Sequence, residues 1–237
     1  MHPFGFYYFD YTYFLYMVPA LIITMAAQIY VKSSFEKYSR ISTQRSLTGA
    51  QAADAVARHG GAYGVSIQPI SGNLTDNFDP RNNTISLSQN VYSSSSISAV
   101  GVAAHEAGHA VQNAVGYFPN KIRSALVPVT NIGSRLSIPI IIVGLFLPTR
   151  YSFVVYAGII LYSLVVLFQL ATLPVEINAS RRAVKALEET GTLYADELEG
   201  AKKVLLAAAL TYVAASFAAI LTLLRLLALA GNRRGRD

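Results

Sequence analysis

The sequence predicts a mainly α membrane protein with about four transmembrane helices and one α+β extramembrane domain. Three observations predict it. Only 14% of the 237 residues are charged, against about 25% in soluble globular chains. Hydrophobic residues make up 53%, the mean hydropathy is +0.39, and the apolar residues fall in long uncharged runs. Between the first such run and the next, the chain turns polar, with Gly-rich turns and alternating segments that lipid would not accept as a whole. This pattern excludes an ordinary soluble domain, disorder and collagen-like repeats. The net charge of +6 does not point to nucleic acid, because the basic residues are scattered around apolar runs rather than gathered in a stripe with stacking aromatics. The absence of Cys excludes disulfides, Cys-type zinc sites and thiol catalysis.

Residues 11–31 carry no charge over 21 positions, enough for a hydrocarbon core that needs about 20 helical residues. The aromatics Phe4, Phe6, Tyr7, Tyr8, Phe9 and Tyr13 around its start suit the headgroup level. A cleaved signal peptide fits poorly, since no Lys or Arg precedes the run. Segment 1–31 is therefore read as the N-terminus and first span, and 32–121 as the extramembrane domain. Within that domain, Thr48 is an N-cap signal for a helix to His59, which Gly60 and Gly61 end. Residues 65–70 alternate like a strand. The turn-prone Asp79, Pro80, Arg81, Asn82 and Asn83 lead into a half-buried strand over 84–88, closing a hairpin. Ser93 to Ser96 cap a helix over 97–114, stopped by Gly116.

A transmembrane hairpin is expected over 122–173. Its first arm, 136–149, is uncharged for only 14 residues and must recruit residues before Arg135. Its second arm is secure, with 25 uncharged residues over 151–175. Residues 174–203 read as a polar helical segment, opened by Pro174 in a first turn and closed near Gly191. Residues 204–237 hold the last span and a basic tail. Under this scheme the loops 32–135 and 174–203 share one side and hold 14 of the 19 Lys and Arg residues, which the positive-inside rule assigns to the cytoplasm. Arg225, Arg233, Arg234 and Arg236 run against that assignment. Arg225 lies near one end of its span, where it can snorkel.

His105, Glu106, Ala107, Gly108 and His109 spell HEAGH on the 97–114 helix. Residues i and i+4 share a helix face, so two imidazoles one turn apart can take two corners of a zinc tetrahedron. Water held in the open position of such a site has its pKa lowered toward about 7. Glu106, adjacent to the first histidine, is placed to take that water's proton and later deliver it to a leaving amine. Peptide hydrolysis is the natural use. The pattern alone also occurs in unrelated helices, but its small neighbours Ala99, Gly101, Ala103, Ala104, Gly108 and Ala110 allow close approach of other elements. A Glu beside two His is also a poor choice for an apolar packing helix.

A catalytic zinc needs a third protein ligand, and only His2 and His59 remain among histidines. His2 is terminal and His59 closes a helix, where a cation is favourable. A carboxylate is the expected ligand, with Glu176 leading over Glu188, Glu189, Glu197 and Glu199 because it follows the third span directly and lies on the same side of the membrane as HEAGH. The plainer reading is that Glu176 only favours a helix N-terminus electrostatically. Arg181 or Arg182 would stabilise an oxyanion or orient a carboxylate, or simply flank the span as cytoplasmic basic residues do.

The segments LTDNFDPRNNTISLSQNVY (74–92), SISAVGVAAHEAGHAVQ (96–112) and LPVEINASRRA (173–183) resemble the YugP-type family of membrane zinc metallopeptidases, from about Lys32 onward. More distantly they are similar to HtpX-type membrane proteases. The resemblance implies an α+β zincin-like, gluzincin-like metallopeptidase domain with one zinc ion per chain. It implies His105, His109 and Glu176 as ligands and Glu106 as general base. The HtpX-type pattern places an Asp where this chain has Ser180, so Asn178 or Ser180 is expected to substitute beside a ligand histidine. The resemblance also implies that residues 77–88, with Asn77 and Ser86, supply an edge strand that binds extended substrate, with Arg181 nearby.

The reading is a multi-pass cell-membrane zinc endopeptidase acting on unfolded or membrane protein segments at the cytoplasmic face. Its partners are a protein or peptide substrate and the lipid bilayer, not nucleic acid. Small residues such as Ala207, Ala208, Ala214 and Ala215 would pack helices closely, within the chain or in a homo-oligomer. Three alternatives remain. A zinc-binding, non-hydrolytic scaffold or regulator would not require Glu106. Intramembrane cleavage would need HEAGH on a lipid-buried helix, which the polar approach from Lys32 disfavours. A zinc transporter would need His, Asp or Glu within the spans 11–31, 151–175 and 204–224, which have none.

Overall fold

The computed structural model describes residues 11–234. The aromatics Phe4 to Phe9, His2 and Arg236 therefore lie outside the described residues. The elements follow in the order α1 (Tyr11–Ser39), α2 (Gly49–His59), β1 (Ser66–Ile70), β2 (Asn77–Asp79), β3 (Thr84–Ser88), α3 (Gln89–Tyr92), α4 (Ile97–Ala114), α5 (Phe118–Phe146), a 3-10 turn (Thr149–Tyr151), α6 (Ser152–Glu189) and α7 (Ala195–Arg234). The protein is mainly helical, with four helices long and apolar enough to cross a membrane among the described residues: α1, α5, the 3-10 turn with α6, and α7. The chain divides into two compact units, one of residues 27–122 and 172–211, the other of 11–26, 123–171 and 212–234.

The first unit holds the sheet and the HEAGH helix. Thr48 opens α2 through a capping box: its hydroxyl accepts from the Gln51 N–H at 3.3 Å, and Gln51 Oε1 accepts from the Thr48 N–H at 2.9 Å. Two orphan donors are thereby satisfied. Ala52, Ala53, Val56 and Ala57 form the buried face of α2. Beyond Gly60, Gly61 takes a φ of +81°, which few residues other than glycine tolerate. Ser96 caps α4 by accepting from the Ala99 N–H at 3.3 Å.

The three strands run in the order β1-β3-β2, with β1 parallel and β2 antiparallel to β3. The β2 and β3 hairpin turns through Pro80 to Asn83, as the turn residues predict. The half-buried alternation expected over 84–88 is corrected, since all five residues of β3 are buried. The strand is central, and its polar side chains have partners. Ser88 donates Oγ–H to Asp76, which also accepts the Ser88 N–H at 2.8 Å. Thr84 donates to the Asn82 carbonyl at 3.2 Å, and Ser86 Oγ accepts from Gln68 at 3.4 Å. The core of this unit joins Val56, Ile85, Leu87, Val91, Val100, Ala103, Leu187 and Val204.

In the other unit Ile141, Val155, Ile159, Leu226 and Ala230 cluster, and the Arg225 guanidinium lies 5.0 Å from the Tyr13 ring centre. The first arm of the hairpin is a full-length helix, because α5 recruits residues back to Phe118 and accommodates Pro128 and Pro139, ending at Phe146. The polar helix expected to open at Pro174 does not exist as a separate element. Pro174 lies inside α6, whose 38 residues run unbroken from Ser152 to Glu189. One proline removes a single backbone donor, a loss that a long helix with packed neighbours absorbs. At 1.5 Å per residue α6 is about 57 Å long, nearly twice a hydrocarbon core of about 30 Å, so its polar end continues past any span it makes. Likewise residues 195–203 are the first turns of α7 rather than part of a separate segment.

Candidate metal centre

Helix periodicity sets His105 and His109 one turn apart on α4, and α6 passes close beside them because Gly108 has no side chain. A Cβ on Gly108 would stand 2.5 Å from the Ala179 carbonyl oxygen and 3.2 Å from its Cα. This close approach brings Glu176 and Ser180, one turn apart on α6, against the two imidazoles. His105 Nε2 lies 3.2 Å from Glu176 Oε2, His109 Nε2 lies 3.4 Å from the same oxygen, and the two Nε2 atoms are 3.2 Å apart. Glu176 is 2% exposed, and the imidazoles 13% and 12%.

Three donor atoms from His105, His109 and Glu176 thus converge within reach of one metal ion. The fit to zinc is quantitative, since tetrahedral bonds of about 2.0–2.1 Å separate neighbouring ligand atoms by about 3.3 Å. Two nitrogens and a carboxylate are also a donor set that zinc accepts.

Buried charge shapes the cluster. Burial pushes the Glu176 carboxyl up, but the His105 and His109 rings beside it more than offset this and hold it well below the usual carboxylate range. Burial pushes His109 down, but Glu176 and Glu106 together hold it above its ordinary value. Glu106 moves the other way from Glu176: burial raises its carboxyl above the usual range despite the two histidines.

Around the donors, His105 Nδ1 meets Ser180 Oγ at 3.1 Å and His109 Nδ1 meets Gln112 Oε1 at 3.0 Å. Gln112 Nε2 donates to the Val175 carbonyl at 2.7 Å and to Asn178 Oδ1 at 3.0 Å, and Arg182 Nε donates to the same Asn178 oxygen at 2.8 Å. Ser180 thus touches a ligand-candidate histidine directly, whereas Asn178 reaches one only through Gln112. Gln112 was not singled out by its sequence. Its signal was available, as a polar residue one turn past His109 on the same helix face.

Glu176 is not in a first helical turn, so the plainer reading of it as a partner for a helix N-terminus does not apply. Asn77 lies on the edge strand β2, exposed, with its amide donating to the Thr75 carbonyl at 2.8 Å. Ser86 is corrected as a substrate-binding residue: it is buried in the central strand, paired with Asn77 on one side and Gln68 on the other, so it offers no open edge. Arg181 is exposed, and among the described residues no hydrogen bond joins it to the cluster. His59 pairs with Glu189 at 2.8 Å, apart from the three donors.

The family described as "Putative neutral zinc metallopeptidase" matches residues 13–231. The chain belongs to this family. It is 42% identical over 220 residues to the "Putative membrane protease YugP" of Bacillus subtilis (strain 168), covering 93% of this chain and 96% of that protein. No solved structure matches the chain. A zinc metallopeptidase family implies zinc and a peptide substrate. The four long apolar helices agree with a multi-pass membrane protein, as does the relative's description.

Proposed function

We propose that this chain is a membrane-embedded zinc endopeptidase with a zincin-like domain, in which His105, His109 and Glu176 hold one zinc ion and Glu106 is the general base. The observation that carries the proposal is the convergence of the three donor atoms at 3.2 to 3.4 Å. Zinc bound there supplies Lewis-acid polarisation and a water of lowered pKa. Glu106 accepts the proton of the attacking water as its oxygen bonds to the scissile carbonyl carbon. The same carboxyl then gives that proton to the amide nitrogen as the C–N bond breaks. A carboxyl raised by burial suits this shuttle, because it binds a proton more readily than an exposed one. The exposed Asn77 on edge strand β2 supports binding of an extended segment by strand addition, and the exposed Arg181 of α6 is the basic residue proposed to orient it.

Substrates in this reading are unfolded or membrane protein segments, met at the cytoplasmic face, to which the positive-inside rule assigns the basic segments 32–135 and 174–203. Cleavage of an unfolded model protein by detergent-purified, zinc-loaded chain tests the proposal beside Glu106→Gln prepared identically. Hydrolysis by the wild type alone is the expected result. Equal hydrolysis by both would expose a contaminant, and silence in both with zinc bound would favour a non-hydrolytic scaffold.

A further inference from the structure

The amide of Gln112 is fully buried, and its contacts to Val175 and Asn178 permit only one orientation. Its Nε2 stands 2.7 Å from the Val175 carbonyl oxygen, which can only accept. The second Nε2 hydrogen goes to Asn178 Oδ1 at 3.0 Å. That oxygen is itself identified by Arg182, whose guanidinium donates to it at 2.8 Å and can accept nothing. Arg182 lies 5.9 Å from the Tyr117 ring centre. With the amide nitrogen so committed, the atom facing His109 Nδ1 at 3.0 Å is a carbonyl oxygen. His109 must therefore carry its proton on Nδ1, and in the neutral ring the Nε2 lone pair points toward His105 and Glu176. His105 has no such constraint, because the Ser180 hydroxyl against its Nδ1 can donate or accept.

We infer that Gln112 is the positioning residue of the metal centre, setting the tautomer and ring orientation of His109, and that Asn178 and Arg182 clamp its amide. This rests on the zinc reading above. Such outer partners change metal affinity by about ten- to a hundredfold when removed.

The test is Zn2+ affinity of the full chain in detergent, stripped, reloaded with Zn2+ alone and titrated against a chromophoric chelator. Gln112→Leu is expected to weaken binding about ten- to a hundredfold. Because it also strands the Val175 carbonyl, the helical circular dichroism and melting temperature of the zinc-free protein are read in parallel. A second pair leaves position 112 untouched. Asn178→Leu is expected to weaken zinc in the same direction, whereas Asn178→Asp, which still accepts from both Gln112 and Arg182, is expected to stay near wild type. Wild-type affinity in Gln112→Leu, or equal losses in the two Asn178 variants, would overturn the inference and leave the zinc reading standing. Failure of the wild type to take up zinc would overturn the zinc reading, and this inference with it.

Discussion

Gly108 precedes the second histidine of HEAGH, and its missing side chain decides how near α6, which carries Glu176, comes. In Gly108→Ala the new Cβ would meet the Ala179 carbonyl oxygen at 2.5 Å, which is backbone and cannot turn aside. The two helices must part. We expect a loss of about 1–3 kcal/mol in unfolding free energy, read from denaturant melts, together with weaker zinc binding in a chelator competition. Glu106 and Glu176 separate cleanly by role. Glu106→Gln is expected to keep zinc at wild-type stoichiometry and lose hydrolysis by about a hundredfold or more, whereas Glu176→Gln is expected to lose zinc. Metal analysis of the two purified variants checks both. At this scale the i, i+4 spacing of His105 and His109 was legible because helix geometry alone puts them on one face. Gln112 was not, because the partners of its amide, Val175 and Asn178, come from a helix more than sixty residues away.

The elements with strong local signals form where those signals lie. Thr48 and Gln51 close a capping box on α2, so Thr48→Ala is expected to cost about 1 kcal/mol while leaving zinc stoichiometry unchanged; a melt beside metal analysis would show otherwise. Ser96 opens α4 in the same manner. Two elements departed from their local pattern. Pro174 reads as a helix start in sequence, but the apolar run before it and the polar turns after it are one helix, whose continuity outweighs one lost donor. The alternation of β3 reads as half-buried, but a strand placed centrally has both faces covered, and its Thr84, Ser86 and Ser88 are satisfied by Asn82, Gln68 and Asp76.

For the whole molecule, zinc held by α4 and α6 would join segments distant in the chain, so its binding energy adds to folding. Stripping the metal is expected to lower the melting temperature, and zinc at a hundredfold its dissociation constant to restore about 2.7 kcal/mol; an unchanged melt would deny the site a bound metal. A Cys placed at Ala114 is expected to react with a membrane-impermeant thiol reagent only from the cytoplasmic side, and labelling from the outside would reverse the orientation read from the basic residues. By itself, the sequence determined the membrane class, the number of long apolar helices and the presence of a histidine pair with its adjacent carboxylate. These depend on composition and on neighbours within one helical turn. Only the tertiary structure decided that Glu176 meets those histidines, that Ser86 is sealed within the sheet and that Gln112 faces His109. Each of these depends on the distance between backbones remote in sequence, which close packing sets and local pattern does not encode.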